Sequence, residues 1–281
     1  MSRQQINRLA TALITVVAIL VVVPIVLVIL FVFYNGIGAI SWEFISAPPT
    51  NGMREGGIWP ALLGTIFLTF GTAIISFPLA IGAAIYLSEY AADNRMTRMM
   101  RLAIVNLAGI PSIVYGLFGL GAFVLFMQFG TSILAGSLTL GILTLPVVIS
   151  TAEEAIASVP QQFRTVSLSL GATRWQTIRY QVLPHALPGI LTGIILGLGR
   201  AAGETAPILF TVAAFYLPDL PHSIFDQTMA LPYHLYVIST QVPGMPLDIQ
   251  YGTALVLLLI VLSLTLSATF VRTSMRRRRE W

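Results

Sequence analysis

The 281-residue sequence predicts an all-α, polytopic membrane protein with about six transmembrane helices. Three observations carry that reading. The chain is 56% hydrophobic and only 9% charged, whereas soluble domains carry about 25% charged residues. Apolar runs of about 20 residues, long enough to cross the hydrocarbon layer, recur six times. All fifteen basic residues are Arg, and they gather on one side once those runs are threaded through a membrane.

The first run, about 9–34, follows Arg3 and Arg8. It is too long for a signal-peptide core and no small-residue cleavage site follows, so it reads as a retained signal anchor, kinked at Pro24. The remaining runs cover roughly 58–87, 99–128, 133–152, 186–214 and 249–271. With the N-terminus in the cytoplasm, thirteen Arg fall inside: Arg3, Arg8, Arg95, Arg98, Arg101, Arg164, Arg174, Arg179, Arg272 and the four from Arg276 to Arg279. Only Arg54 falls outside, and Arg200 lies within a span. The positive-inside rule then places both termini in the cytoplasm. The terminal RRRRE reads as a stop-transfer anchor, which accounts for a net charge of +4 with membrane lipid and no nucleic acid.

Two longer outer segments, 35–57 and 215–248, are rich in Pro, Gly and aromatic residues, and "SAPPTNG" and "PGMP" are turn chemistry. A short surface helix is expected over 219–236. No internal repeat stands out. Two regions follow, 1–57 as tail, first helix and outer loop, and 58–281 as the transmembrane domain with a cytoplasmic loop at 153–185.

The missing residue types exclude whole chemistries. Without Lys there is no phosphate-loop lysine, Schiff base or lysine base. Any ATP hydrolysis is therefore left to a separate subunit. No enzymatic activity and no catalytic residues are expected of this chain. Without Cys there is no disulfide or thiolate metal site. His185, His222 and His234 are scattered and lack metal-ligand spacing. No cofactor is expected.

The cytoplasmic loop carries helix punctuation. Pro160 suits the first position of a helix running to about Leu170, and Gly171 suits its left-handed cap. Thr173 and Gln176 form a capping-box pattern for a second short helix, which Pro184 ends. Trp175, Ile178 and Val182 lie on one stripe beside Arg174 and Arg179. Such an elbow is either an amphipathic helix on the membrane surface or a docking helix for another protein.

The last striking stretch is "GLGRAAGETAPILFT", 197–211, which sets Arg200 and Glu204 one helical turn apart inside an apolar span. Charges at hydrocarbon depth cost roughly 2.5–3.5 kcal/mol each on insertion scales. Gly193, Gly197, Arg200, Ala201 and Glu204 share about 100° of helix arc, a small-residue face for close packing. Pro207 weakens the helix beyond, where freed backbone groups line a cavity. The pair either locks helices in register or offers Arg200 to a crossing anion, with Glu204 as its partner when the anion is absent. Ser112 and Tyr115, after Pro111 in "IPSIVYG", are further polar groups for interhelical bonding or for the path.

The stretch "GATRWQTIRYQVLP", 171–184, resembles the loop shared by permease subunits of bacterial ABC importers, although Thr165-Val166-Ser167 stands where that family often has Glu-Ala-Ala. "GGIWPALLGTIFLT" (56–69), "LAGIPSIVYGLFGL" (107–120), "LTLPVVISTAEEAI" (143–156) and "GRAAGETAPILFT" (199–211) together resemble its phosphate-specific, PstA-type branch. The resemblance implies an ABC importer type I permease fold forming half of a phosphate pathway. It implies a PstC-like second permease, a PstB-like ATP-binding dimer and a PstS-like external phosphate-binding protein. The coupling residues it implies are Gly171, Ala172, Thr173, Arg174, Trp175, Ile178 and Pro184. The pathway candidates are Arg200, Glu204, Thr205, Ser112 and Tyr115. Another oxyanion such as sulfate, or a stand-alone anion channel or carrier, are the competing functions.

Overall fold

The computed structural model describes residues 3–277, most of it helical; 278–281, the end of the basic run, lie outside the described residues. Helix α1 (Arg3–Gly36) covers the first apolar run and contains Pro24. Residues 11–28 are exposed along its length. A short helix, α2 (Trp42–Ser46), is capped by the Ser41 hydroxyl, which accepts from the Phe44 N–H. The hairpin β1 (Pro49–Thr50) and β2 (Glu55–Gly56) follows, antiparallel, with Asn51, Gly52 and Met53 at positive φ in its turn.

Helix α3 (Trp59–Ile85) starts with Pro60, whose missing N–H needs no partner in a first turn, and widens into a π-helical turn at Tyr86–Tyr90. Helices α4 (Arg95–Ala108) and α5 (Ser112–Gly119), the latter prolonged by a π-helical turn at Leu120–Phe126, occupy the third apolar run. The single span expected over 99–128 is in fact broken between them and bent by 101°. Pro111 has no N–H for the Leu107 carbonyl and disfavours helical backbone at Ile110, so the chain turns at Gly109–Pro111. Among the described residues, five helices are long and apolar enough to cross a membrane, or six if the bent pair counts as one.

Helix α6 (Ile133–Ala157) is capped by Ser132. The elbow follows: α7 (Gln161–Ser169), then α8 (Arg174–Thr177), a π-helical turn at Ile178–Val182, and α9 (Leu183–Gly203). Two expectations change here. Pro160 sits one residue before α7 rather than in it. Pro184 does not end α8: the wide π-turn absorbs its absent N–H, and the helix continues from Arg174 to Gly203, 30 residues, or about 45 Å. The fifth span is therefore longer at the elbow and stops earlier than 214.

Helix α10 (Ala206–Thr211) is a single short piece, α11 (Leu231–Thr240) follows a long connection, and α12 (Leu247–Arg277) closes the chain. The helix expected over 219–236 forms only from Leu231, where Pro232 suits a first turn. Before it, the Asp226 carboxylate accepts from the N–H groups of His222 and Ser223, both at 2.8 Å, and holds a loop instead.

The centre of the bundle is α3, α6 and α9. Small residues let them close. A Cβ on Gly193 would stand 2.8 Å from Thr151, one on Gly197 2.9 Å from Val148, and one on Gly71 2.3 Å from the Ser137 hydroxyl. Ala84, Ala152, Ile156, Val182 and Ile190 fill the elbow end, and Leu68, Leu140, Ile208, Met229 and Leu231 the opposite end.

Candidate functional site

Two interrupted helices meet within the bundle. The second half of the broken third span, α5, packs against the start of α10, just past the α9–α10 break: a Cβ on Gly116 would stand 2.9 Å from the Ala206 carbonyl and 3.0 Å from Pro207. Irregular backbone inside a membrane is tolerated where it is covered by protein or lines a cavity. The second break has a local cause. Pro207 cannot donate to the Gly203 carbonyl, so α9 ends there and Glu204 turns out of the helix with ψ 132°. Thr205, half-buried, begins α10 and its carbonyl accepts from the Leu209 N–H at 3.2 Å.

Arg200 and Glu204 therefore pair across a helix end rather than along one continuous helix. Arg200 Nε donates to Glu204 Oε1 at 3.2 Å, and the two side chains are 36% and 17% exposed. Arg200 is in the last turn of α9, where a cation is favoured by the carbonyl ends of the peptide dipoles. The pair is neither sealed in the core nor fully open. A guanidinium held by one bond at its Nε keeps its terminal N–H groups available for an anion's oxygens.

Tyr115 turns out to support the backbone. Its hydroxyl donates to the Leu107 carbonyl at 2.7 Å, a group that Pro111 cannot serve and that otherwise accepts only from the Ile110 N–H at 3.1 Å. Its one O–H is thus spent. Ser112, half-buried, opens α5 just after the break. Sequence reasoning missed Gly116, whose role depends on a neighbour some 90 residues away; the Gly-Ile-Pro at 109–111 is the local signal for the break itself.

At the other end of the bundle stands the elbow. Gly171 has φ +83°, the left-handed cap expected of it. Its N–H donates to the Leu168 carbonyl and the Ala172 N–H to that of Ser167, closing α7. The capping box is complete: Gln176 N–H donates to Thr173 Oγ1 at 3.3 Å, and Thr173 N–H to Gln176 Oε1 at 2.8 Å. Leu170, Val166 and Trp175 are exposed, whereas Ile178 and Val182 are buried. The stripe expected to face a partner is thus divided. Trp175 and Arg174 are on the surface, and Ile178 anchors the elbow to its own bundle. Pro184 is exposed and Ala172 half-buried. Among the described residues no cluster of His, Asp or Glu could hold a metal ion.

Fold and site together define a multi-pass membrane permease with the type I ABC importer architecture. Residues 76–281 match the family of binding-protein-dependent transport system inner membrane components, and the chain belongs to that family. It is 34% identical to the probable ABC transporter permease protein YqgI of Bacillus subtilis, over 97% of both chains. It is 37% identical to the phosphate transport system permease protein PstA 1 of Mycobacterium tuberculosis, over 80% of this chain and 73% of that one. A probable PstA of Methanocaldococcus jannaschii is 36% identical over 76% and 75%. Among solved structures, a bacterial ABC transporter that imports alginate aligns with TM-score 0.66 at 14% identity, over 99% of this chain and 98% of that one. The MetNI methionine transporter aligns at 0.57 and 17%, over 77% and 94%. At those identities the likeness is one of fold.

Proposed function

We propose that the chain is the PstA-type permease subunit of an ATP-driven inorganic phosphate importer, forming half of the pathway. The observation that carries this reading is the partly accessible Arg200–Glu204 pair at the meeting of two broken helices. A fixed guanidinium there favours an oxyanion, and a carboxylate partner limits how tightly it is held, as a pathway that must release its cargo requires. The relatives named as phosphate permeases support phosphate as the cargo. The partners are a PstC-like second permease, a PstB-like ATPase dimer seated on the elbow, and a PstS-like binding protein on the opposite face. Gly171, Ala172, Thr173, Arg174 and Trp175 present the docking surface, with Ile178 and Pro184 holding it on α9. Both termini lie in the cytoplasm, by the thirteen-to-one Arg asymmetry.

The test is labelled-phosphate uptake by proteoliposomes holding both permeases and the ATPase, with binding protein supplied outside. Uptake should require ATP and resist excess sulfate. Uptake that persists without the ATPase would favour a channel or carrier, and preferential sulfate uptake another oxyanion. Because the chain has no Cys, single Cys probes report topology without background. Probes at Thr50 and Ser223 should label from outside and those at Ser169 and Ser274 only after permeabilisation; the reverse would refute the orientation.

A further inference from the structure

Glu89 and Arg164 lie 75 positions apart and form a nearly buried ion pair, their side chains 8% and 12% exposed. Glu89 sits in the π-turn that ends α3, and Arg164 in α7 of the elbow. Arg164 Nε donates to Glu89 Oε1 at 3.0 Å and to Oε2 at 3.3 Å, while Nη2 donates to Oε1 at 2.5 Å. The same guanidinium serves the end of α6, with Nη1 donating to the Val159 carbonyl at 2.7 Å and Nη2 to that of Ile156 at 3.0 Å. The elbow's second helix grips the same place. Arg174 Nη2 donates to the backbone carbonyl of Glu89, and its guanidinium lies 5.1 Å from the centre of the Tyr90 ring. These groups line a polar cavity of about 490 Å³ between α3 and the elbow.

A buried ion pair is a poor device for stability alone, since apolar residues of similar size often do as well or better. Apolar neighbours are at hand in Ile156, Val159 and Ile178. What the guanidinium fork supplies instead is direction: a flat apolar contact can slide, whereas this fork is fixed at both ends. The connectivity shows where such a link is needed. Motion of α8 reaches α9 through one continuous helix. Helix α3 has no comparable route, because the chain from Tyr90 to the elbow first runs through α4, α5 and α6.

We propose that Glu89 and Arg164 are positioning residues that carry movement of the elbow into α3, so that α3 and α9 move together when the elbow is driven. This rests on the reading that an ATPase drives the elbow. Through α3 the movement reaches the tight contacts at Gly71 with Ser137 and at Gly197 beside Phe77, on the same bundle that holds Arg200.

The experiment uses the complete importer in proteoliposomes, comparing wild type with Glu89→Gln, which keeps size and one acceptor oxygen but removes the charge. ATPase co-purification and ATP hydrolysis should stay near wild type, while phosphate taken up per ATP hydrolysed falls by about tenfold. A second readout uses paired spin labels on Cys placed at Ile74 of α3 and Leu196 of α9, both exposed. Their separation should stay fixed with ATP in the wild type, where the two helices move together, and change with ATP in Glu89→Gln. If that variant fails to insert, Glu89→Asp, a carboxylate on a shorter stem, is judged by the same two readouts. Uptake and hydrolysis falling in equal proportion, or a separation that stays fixed in Glu89→Gln as well, would overturn the proposal. So would loss of ATPase binding, which would make the pair a mere builder of the elbow. A wild-type complex that binds no ATPase would instead sink the underlying reading.

Discussion

Gly116 on α5 faces the Ala206 carbonyl at the start of α10 so closely that a methyl group in its place would stand 2.9 Å from that oxygen. This contact holds the half-helix α5 against the half-helix α10. Gly116→Val cannot be accommodated without moving backbone, because the Phe210 ring is only one neighbour and the other two, the Ala206 carbonyl and Pro207 Cα, belong to the main chain. Overpacking of this kind costs about 1–3 kcal/mol. A lower melting temperature and strongly reduced uptake are expected in proteoliposomes. Full uptake at wild-type stability would show that the two half-helices need not touch.

For the ion pair, Arg200→Gln removes the charge from the path while keeping a polar group. Uptake should fall at matched amounts of folded complex. Glu204→Gln should lower uptake by another route, leaving the guanidinium free to retain phosphate, so bound phosphate in the purified complex should rise. Normal uptake by well-folded Arg200→Gln would reduce the pair to an architectural clamp. In that event both single variants should be less stable and uptake per folded complex unchanged.

The elbow turn gives a cleaner backbone test. Gly171 has open space where a side chain would project, so substitution meets only conformational strain at φ +83°. Gly171→Val should cost about 1–2 kcal/mol locally and swing α8 away from its position. Insertion should be normal while ATPase co-purification and uptake drop. Unchanged co-purification would mean that α8 contributes no contact to the ATPase.

An acid limit to stability is built into the segment between the last two spans. His234 on α11 is buried, its Nδ1 has no hydrogen-bond partner, and burial pushes its pKa down to about 4 from an ordinary 6.5. Below pH 6.5 the unfolded chain takes up a proton that the folded form refuses. Stability is therefore full above that pH and is lost as pH falls toward about 4, by up to about 3 kcal/mol. Thermal unfolding of the detergent-solubilised protein at pH 8, 6 and 5 should show the decline, and His234→Leu should flatten it. A decline of equal slope in that variant would assign the effect to other groups.

Much of this molecule was legible in local sequence. The apolar runs located the spans, Gly171 announced a left-handed cap, and Thr173 with Gln176 announced a capping box that is present. What misled was treating the stripe as one surface. Trp175, in the short helix α8, is exposed, whereas Ile178 and Val182, at the two ends of the π-turn, are both buried against the bundle. Hydropathy located the third span but carries no direction, so the 101° bend was invisible even though Gly109 and Pro111 mark its place. The Arg200–Glu204 pair was legible because its partners are four residues apart. Glu89 and Arg164 were not, since nothing local in "LSEYA" or "QQFRT" points from one to the other.

Helix α1 meets α12 at one end only, with Gly36 against the Tyr251 carbonyl and Phe31 edge-on to the Tyr251 ring at 5.6 Å. From there the helix extends like a boom on a gooseneck, with residues 11–28 exposed. Lipid tails are as apolar as its Val, Ile and Leu side chains, so laying the boom along another protein surface changes little hydrophobic free energy. Its angle is therefore governed by shape and by the few atoms at the pivot. A bulky residue at Gly36 would alter the bearing of a 34-residue helix without disturbing the rest of the bundle.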